Sequence, residues 1–243
     1  MKNQYFGDFN DYLKYSLIRR LTGNGDLKTA VCWLLTPNEE RTDGNKVKYL
    51  EQPHLWRRFD PFVFDFLTET VKNGMLRDTQ LVEGSSLLPN TVFFNDLIGD
   101  ELEMRTAFFR RFSQISGESD LIFFDPDNGL ETKSVRKGKR KSSKYIFWDE
   151  VNSFYKKGHS IMIYQHFPRQ ERRRFVENTT KKADEIISPC DIFTYSTSYV
   201  LFLLLVQHKH DKILRANTES VFTLYRKIMR IDANYNEVSL SHQ

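Results

Sequence analysis

Two carboxylates and an amide stand where an apolar run ends abruptly: Leu121-Ile122-Phe123-Phe124 gives way to Asp125-Pro126-Asp127-Asn128-Gly129. Such oxygens accept hydrogen bonds from amino groups. With Glu131 they also make an oxygen-rich set that suits a hard cation such as Mg²⁺ or Mn²⁺. A nuclease or other phosphate-ester enzyme would use such ions to activate water and clamp a phosphate, and Asp149 and Glu150 are the next carboxylates in reach. The same residues have plain turn chemistry. Proline fixes φ, asparagine tolerates positive φ and glycine is free, so an isolated Asp-Pro-Asp reads equally as a tight strand-to-loop turn.

The residues just beyond the turn bear on the choice. Residues 133–144 carry Lys133, Arg136, Lys137, Lys139, Arg140, Lys141 and Lys144 with no acid among them. A basic run beside a candidate site suits contact with a phosphate backbone; a solvated mobile loop is the plainer fate of a charge run. A second cluster, Arg169, Arg172, Arg173 and Arg174, comes after Gln165-His166-Phe167-Pro168. There His166 is a candidate base or substrate contact and Phe167 a stacking platform. The net charge of +4 is too small to establish a nucleic-acid partner alone.

These residues need elements to hold them. Residues 120–124 have the length and aromatic content of a buried strand, and open α/β sheets bind ligands just beyond the carboxyl ends of their strands. Upstream, Phe9, Leu13, Leu17 and Leu21 recur at helical spacing over 9–21, with Asp8 or Asn10 as cap and Gly23-Asn24-Gly25 as stop. A strand over 29–35 runs into a polar loop over 36–45. Helices are expected over 55–73 (where Asp60-Pro61 starts or breaks the helix), 99–115, 169–185 and 211–229, with a short one after 145–148. Strands are expected over 79–83, 91–95 and 159–164. Two more, 191–195 and 198–207, are joined by a tight turn and hence antiparallel, and a weak strand closes the chain. This alternation predicts one α/β domain over 1–243: a mostly parallel seven-stranded sheet, a C-terminal antiparallel hairpin, and helices on both faces.

Cys32 and Cys190 read as buried free thiols, not a disulfide or zinc framework. The first residues lack the apolar core of a signal peptide, and the longest apolar run, 199–206, is too short to span a bilayer. A cytoplasmic protein with no membrane partner is the expectation.

The element order resembles that of class I S-adenosylmethionine-dependent methyltransferases, which have a Rossmann-like fold. In that family the fourth strand ends in an acidic or amide residue followed by Pro-Pro-aromatic when the target is a base amino group. Asp125-Pro126 matches the first half, and Asp127-Asn128 replaces the second. Gly7-Asp8-Phe9-Asn10-Asp11-Tyr12-Leu13-Lys14-Tyr15 is similar to the Gly-Asn-His-Ala-Asp-Val-Leu-Lys-His segment of bacterial ribosomal RNA adenine-N6 methyltransferases, sharing Gly7, Asp11, Leu13 and Lys14. The resemblance implies methylation of a base amino group from S-adenosylmethionine. Asp125 and the Pro126 carbonyl would orient the target nitrogen, with Asp127 and Asn128 against substrate. Asp11, Lys14, Thr36 and Asp96 would lie at the cofactor. Lys133, Lys137, Lys139, Arg140, Lys141, His166 and Arg169 would contact RNA or DNA. Asp96 serves equally as a helix cap. One departure bears on the reaction: Trp33-Leu34-Leu35-Thr36-Pro37 stands where the family has a glycine-rich loop, with no glycine until Gly44. A non-catalytic module that keeps the fold without the pocket is therefore the third reading, beside methyl transfer and metal-dependent phosphodiester chemistry.

Overall fold

A computed structural model describes residues 1–38, 46–74 and 76–235. The strands are β1 (Thr29–Cys32), β2 (Thr91–Phe94), β3 (Leu121–Phe124), β4 (Gly129–Leu130), β5 (Tyr145–Ile146), β6 (Ser160–His166), β7 (Asp191–Ser196), β8 (Val200–Val206) and β9 (Arg230–Tyr235). The helices are α1 (Phe9–Leu21), α2 (Pro53–Trp56), α3 (Pro61–Lys72), α4 (Gln80–Glu83), α5 (Leu102–Ile115), α6 (Trp148–Tyr155), α7 (Arg172–Ile187) and α8 (Asp211–Tyr225).

Seven strands form one mixed sheet in the order β2-β1-β3-β6-β8-β7-β9. The β2-β1-β3-β6 half is parallel, and the pairings of β6 with β8, β8 with β7, and β7 with β9 are antiparallel. The expected hairpin is present as β7–β8. The sheet is less parallel than expected because the closing strand, β9, pairs with β7 and adds a second antiparallel edge. A separate parallel ladder, β4–β5, was not expected from the sequence.

Strand periodicity explains the two layers. Val31, Phe123, Met162 and Leu204 pack with α1, α3 and α8; Cys32, Ile122, Phe124, Ile163 and Leu205 pack with α5, α6 and α7. The crossover from β1 to β2 passes α3 on one face, and that from β2 to β3 passes α5 on the other. The order therefore reverses beside β1, and the crevice at the carboxyl ends of β1 and β3 is the sheet's topological switch point.

Local rules set most boundaries. The Asp8 carboxylate caps α1 by accepting from the Asn10 and Asp11 amides. Asp60 caps α3 with Pro61 in the first turn, so that pair starts a helix and splits the 55–73 expectation in two. Residues 80–83 are the helix α4, not a strand. The side chain of Asp78 accepts from the Gln80 amide, and Val82 is the one fully buried side chain of the turn. The loop expected over 36–45 lies outside the described residues from 39 onward. Among the described residues no helix is long and apolar enough to cross a membrane.

Candidate functional site at the carboxyl ends of the strands

Asp125 follows Phe123 by two residues, so strand periodicity turns it toward α1, where Lys14 sits. The Lys14 ammonium donates to Asp125 Oδ2 at 2.6 Å and to Asp11 Oδ1 at 2.8 Å. All three side chains are buried, with Asp125 1% and Lys14 2% exposed. The other Asp11 oxygen accepts the Gly7 amide at 3.0 Å. Gly7 has φ +82°, and a Cβ there would strike Val71, so the turn feeding α1 requires glycine. Burial alone would push the Lys14 pKa down, but Asp11 and Asp125 outweigh it and hold it above the ordinary lysine range. Burial raises Asp11 against the pull of Lys14. Burial, then the neighbouring Asp11 carboxylate, pushes Asp8 up to about 7. Lys14 also lies 4.9 Å from the centre of the Tyr164 ring on β6.

The rest of the turn is equally engaged. Asp127 Oδ2 lies 3.3 Å from the Lys2 ammonium and 3.5 Å from that of Lys144. Pro126 is buried, and the Asn128 amide donates to the Lys144 carbonyl at 2.8 Å. Gln165 clamps the turn: its Oε1 accepts the Leu130 amide at 2.7 Å, and its Nε2 donates to the Asn128 and His166 carbonyls. Gly129, at φ +113°, leaves that amide group its room, since any Cβ would collide with it.

Met1 fills the crevice between β1 and β3. Its amino group donates to the Leu34 carbonyl at 3.3 Å and the Asp125 carbonyl at 3.0 Å, and its carbonyl accepts the Thr36 amide. Trp33, Leu34 and Leu35 are buried. The chain here continues extended and bridges Leu97, with Leu34 alone in the left-handed region at φ +43°. Among the described residues, the segment after β1 up to Asn38 offers the crevice no glycine for close approach of a cofactor. The Thr36 hydroxyl is buried without a hydrogen-bond partner among the described residues. The residues present at the switch point do not fit S-adenosylmethionine. Asp96 does not cap α5: it is half-buried and bound to Arg111 at 2.8 Å, and Glu101 stands at the cap position.

The metal reading meets a similar obstacle. Asp125 is held by Lys14, Asp127 by Lys2 and Lys144, Glu131 by Lys182 at 3.1 Å, and Asp149 by Lys137 at 2.5 Å. Among the described residues, the only three such side chains whose ligand atoms converge are Cys190, Asp191 and Asp211. That group lies elsewhere, and the Arg215 guanidinium already joins its two carboxylates. Cys190 is half-buried, not buried as expected, while Cys32 is buried; both are free.

The basic run is anchored, unlike the solvated mobile loop that is the plainer of its two readings. Its two ends are paired as β4 and β5. The Asp100 carboxylate accepts the Lys141 and Ser143 amides at 2.8 and 2.7 Å, which holds Lys141 at φ +72°. Arg105, 0% exposed, donates to the Ser142 and Tyr145 carbonyls and forms a two-pronged pair with Glu150 at 2.5 and 2.7 Å. Lys133, Lys139 and Arg140 are exposed and make no ion pair among the described residues; Lys141 is exposed too. Lys137 and Lys144 differ from expectation, being taken up by Asp149 and Glu150 and by Asp127. His166 and Arg169 are exposed on the same strand-end side. Sequence reasoning missed Arg105, Asp100, Lys2 and Gln165. Arg105 alone left a signal, a cation at helical spacing on the buried face of Phe108 and Phe112.

A third polar cluster lies at the opposite end of the sheet. The Asp120 carboxylate, His210 and Ser160 have the residue types of a hydrolase triad. However, Ser160 is fully buried and its oxygen accepts the Gln207 amide at 2.9 Å. With His210 Nδ1 accepting from Ser160 and Nε2 donating to Asp120, neutral imidazole satisfies every member. Burial, then Lys209, lowers the His210 pKa against Asp120; burial, then Lys209 and Lys157, lowers that of nearby His159. A depressed histidine gives stability that is full above the unfolded pKa, near 6.5, and lost as pH falls below it. Melting temperature should therefore drop as pH falls from about 7 to 5, and His210→Gln should flatten that slope. An equally steep slope in the variant would count against this assignment.

No family model matches the chain, and no curated protein matches it. Among solved structures, the crystal structure of protein LPL1258 from Legionella pneumophila, of the family DUF519, aligns over 96% of this chain and 98% of its own. The identity is 11% and the TM-score 0.47.

Proposed function

We propose that this protein is a nucleic-acid-binding module on a Rossmann-like, methyltransferase-like scaffold, and that the Asp125 turn is its structural clamp. The observation that carries the reading is the anchored basic loop. Its fold-back beside Asp127 presents Lys133, Lys139 and Arg140 to solvent on a frame fixed by Asp100 and Arg105. Ordering such a loop in advance removes an entropy cost of binding. His166 and Arg169 extend the same rim, and Phe167 offers a ring for stacking. Methyl transfer is not part of the reading: the acceptor Asp125 is spent on Lys14, and the crevice holds Met1.

Filter binding with single-stranded RNA and DNA across a salt series tests it. Lys133→Gln, Lys139→Gln and Arg140→Gln together should weaken binding on the order of tenfold or more. They should also flatten the salt slope by about 2 for a single strand. Unchanged affinity and slope would refute the interface. Calorimetry should show no S-adenosylmethionine binding at millimolar cofactor. Methyl transfer abolished by Asp125→Asn would overturn the non-catalytic reading.

A further inference from the structure

A cavity of about 870 Å³ opens between α7 and the β7–β9 edge, apart from the Asp125 turn and the basic loop. Its volume is that of a small-molecule site. Strand periodicity builds the floor: Ile192, Thr194 and Ser196 of β7 face α7, and Arg230 and Asp232 of β9 pair with Ser196 and Thr194. Thr194 is 2% exposed, and its hydroxyl has no hydrogen-bond partner among the described residues. A buried hydroxyl left unpaired is costly, so a group that fills the cavity and bonds this oxygen gains more than contact area.

The charges lining the cavity are unequally committed. Five cations face three carboxylates. Glu171 is occupied by the Arg173 and Arg174 amides, Glu177 by Arg173 and Asp232 by Arg230. Arg172, Arg226 and Lys227 keep no carboxylate partner among the described residues. Arg172 lies 6.0 Å from the centre of the Phe167 ring, and Phe222, 47% exposed, is a second aromatic in the lining. Free cations, aromatic faces and an unpaired buried hydroxyl call for a ligand with an anionic end and a flat polar ring.

We propose that this cavity binds a nucleotide, its base against Phe167, its phosphate at Arg226 and Lys227, and Thr194 hydrogen-bonded to it from the floor. The same chemistry is offered by a free mononucleotide or by the phosphorylated end of a strand. The site shares Phe167 with the rim described above, but none of the rim's cations.

Calorimetric titration with AMP, UMP, inorganic phosphate and a 5′-phosphorylated hexaribonucleotide tests the proposal. At least one nucleotide-bearing probe should bind about tenfold or more tightly than inorganic phosphate. Thr194→Val should weaken that probe about fivefold, leave phosphate unaffected and not lower the melting temperature, since it removes only an unpaired hydroxyl. Arg226→Gln with Lys227→Gln, both exposed and outside the fold's core, should weaken every probe. Binding of AMP or UMP lost in these variants assigns a free nucleotide; binding of the hexamer alone, lost in these variants and kept in the Lys133, Lys139 and Arg140 replacements, assigns a strand end. The Lys133, Lys139 and Arg140 replacements should leave AMP binding unchanged, which separates a failure here from a failure of the rim. No binding by any nucleotide probe at millimolar concentration overturns the proposal, as does binding that is the same in wild type and both variants.

Discussion

Lys14→Met should lower the unfolding free energy by about 3–5 kcal/mol, the cost of stripping a buried charge of its partner. Two carboxylates, not one, lose their counter-ion: Asp11 loses its 2.8 Å bond and Asp125 its 2.6 Å bond, while the Gly7 amide stays on Asp11. The sign of the pH dependence is set by the stranded acids. Burial already raises Asp11, and without Lys14 only the Gly7 amide still opposes that push. An acid with a raised folded pKa destabilises the fold above its unfolded pKa, and the deficit shrinks as pH falls. The gap between wild type and Lys14→Met should therefore narrow from pH 7 toward pH 4 in urea titrations. Adding Asp125→Asn should restore part of the loss at pH 7, because it removes one of the stranded charges. A loss under about 1 kcal/mol, unchanged with pH, would show that water reaches the site and that the three groups are no buried network.

The two sides of this network were legible from the sequence, but their effect on each other was not. Phe9, Leu13, Leu17 and Leu21 define α1, the Leu121–Phe124 run defines β3, and both stand where the patterns place them. The turn signal at Asp125–Gly129 is real, and Gly129 shows why glycine is needed. What pattern cannot convey is that a lysine 111 residues upstream neutralises the aspartate at the strand end. Periodicity sets the face a residue takes, and only the tertiary fold sets who meets it there. The same limit explains α4: two apolar residues in a run of four satisfy either period, and the local bond from Asp78 to the Gln80 amide decides for helix. The basic run was legible as charge. Its rigidity was not, because Asp100 and Arg105 that impose it lie about 40 residues away.

Arg105→Met should cost about as much as the loss of Lys14, about 3–5 kcal/mol, and should also reach the proposed binding surface. Arg105 performs two jobs with one guanidinium. It balances the buried Glu150 carboxylate, and it ties the Ser142 and Tyr145 carbonyls that fix the end of the basic loop. Arg105→Lys should not rescue it, since an ammonium lacks the planar fork that reaches all three partners together. A second replacement separates the jobs. In Arg105→Met with Glu150→Leu the carboxylate that the single variant leaves with Lys137 as its only cation among the described residues is gone, so urea titration should recover much of the stability. The two carbonyls remain without a donor, each at about 1–3 kcal/mol if still buried, and they escape that penalty by turning to water. The loop should then loosen. Limited trypsin cleavage within 133–144 should be faster than in wild type in the double variant as well as the single. RNA affinity should fall in both, although Lys133, Lys139 and Arg140 are untouched, because the loop's ordering must now be supplied on binding. Wild-type cleavage rates and affinity in the stable double variant would mean that β4–β5 pairing and Asp100 suffice to hold the loop, leaving Arg105 with the ion pair alone.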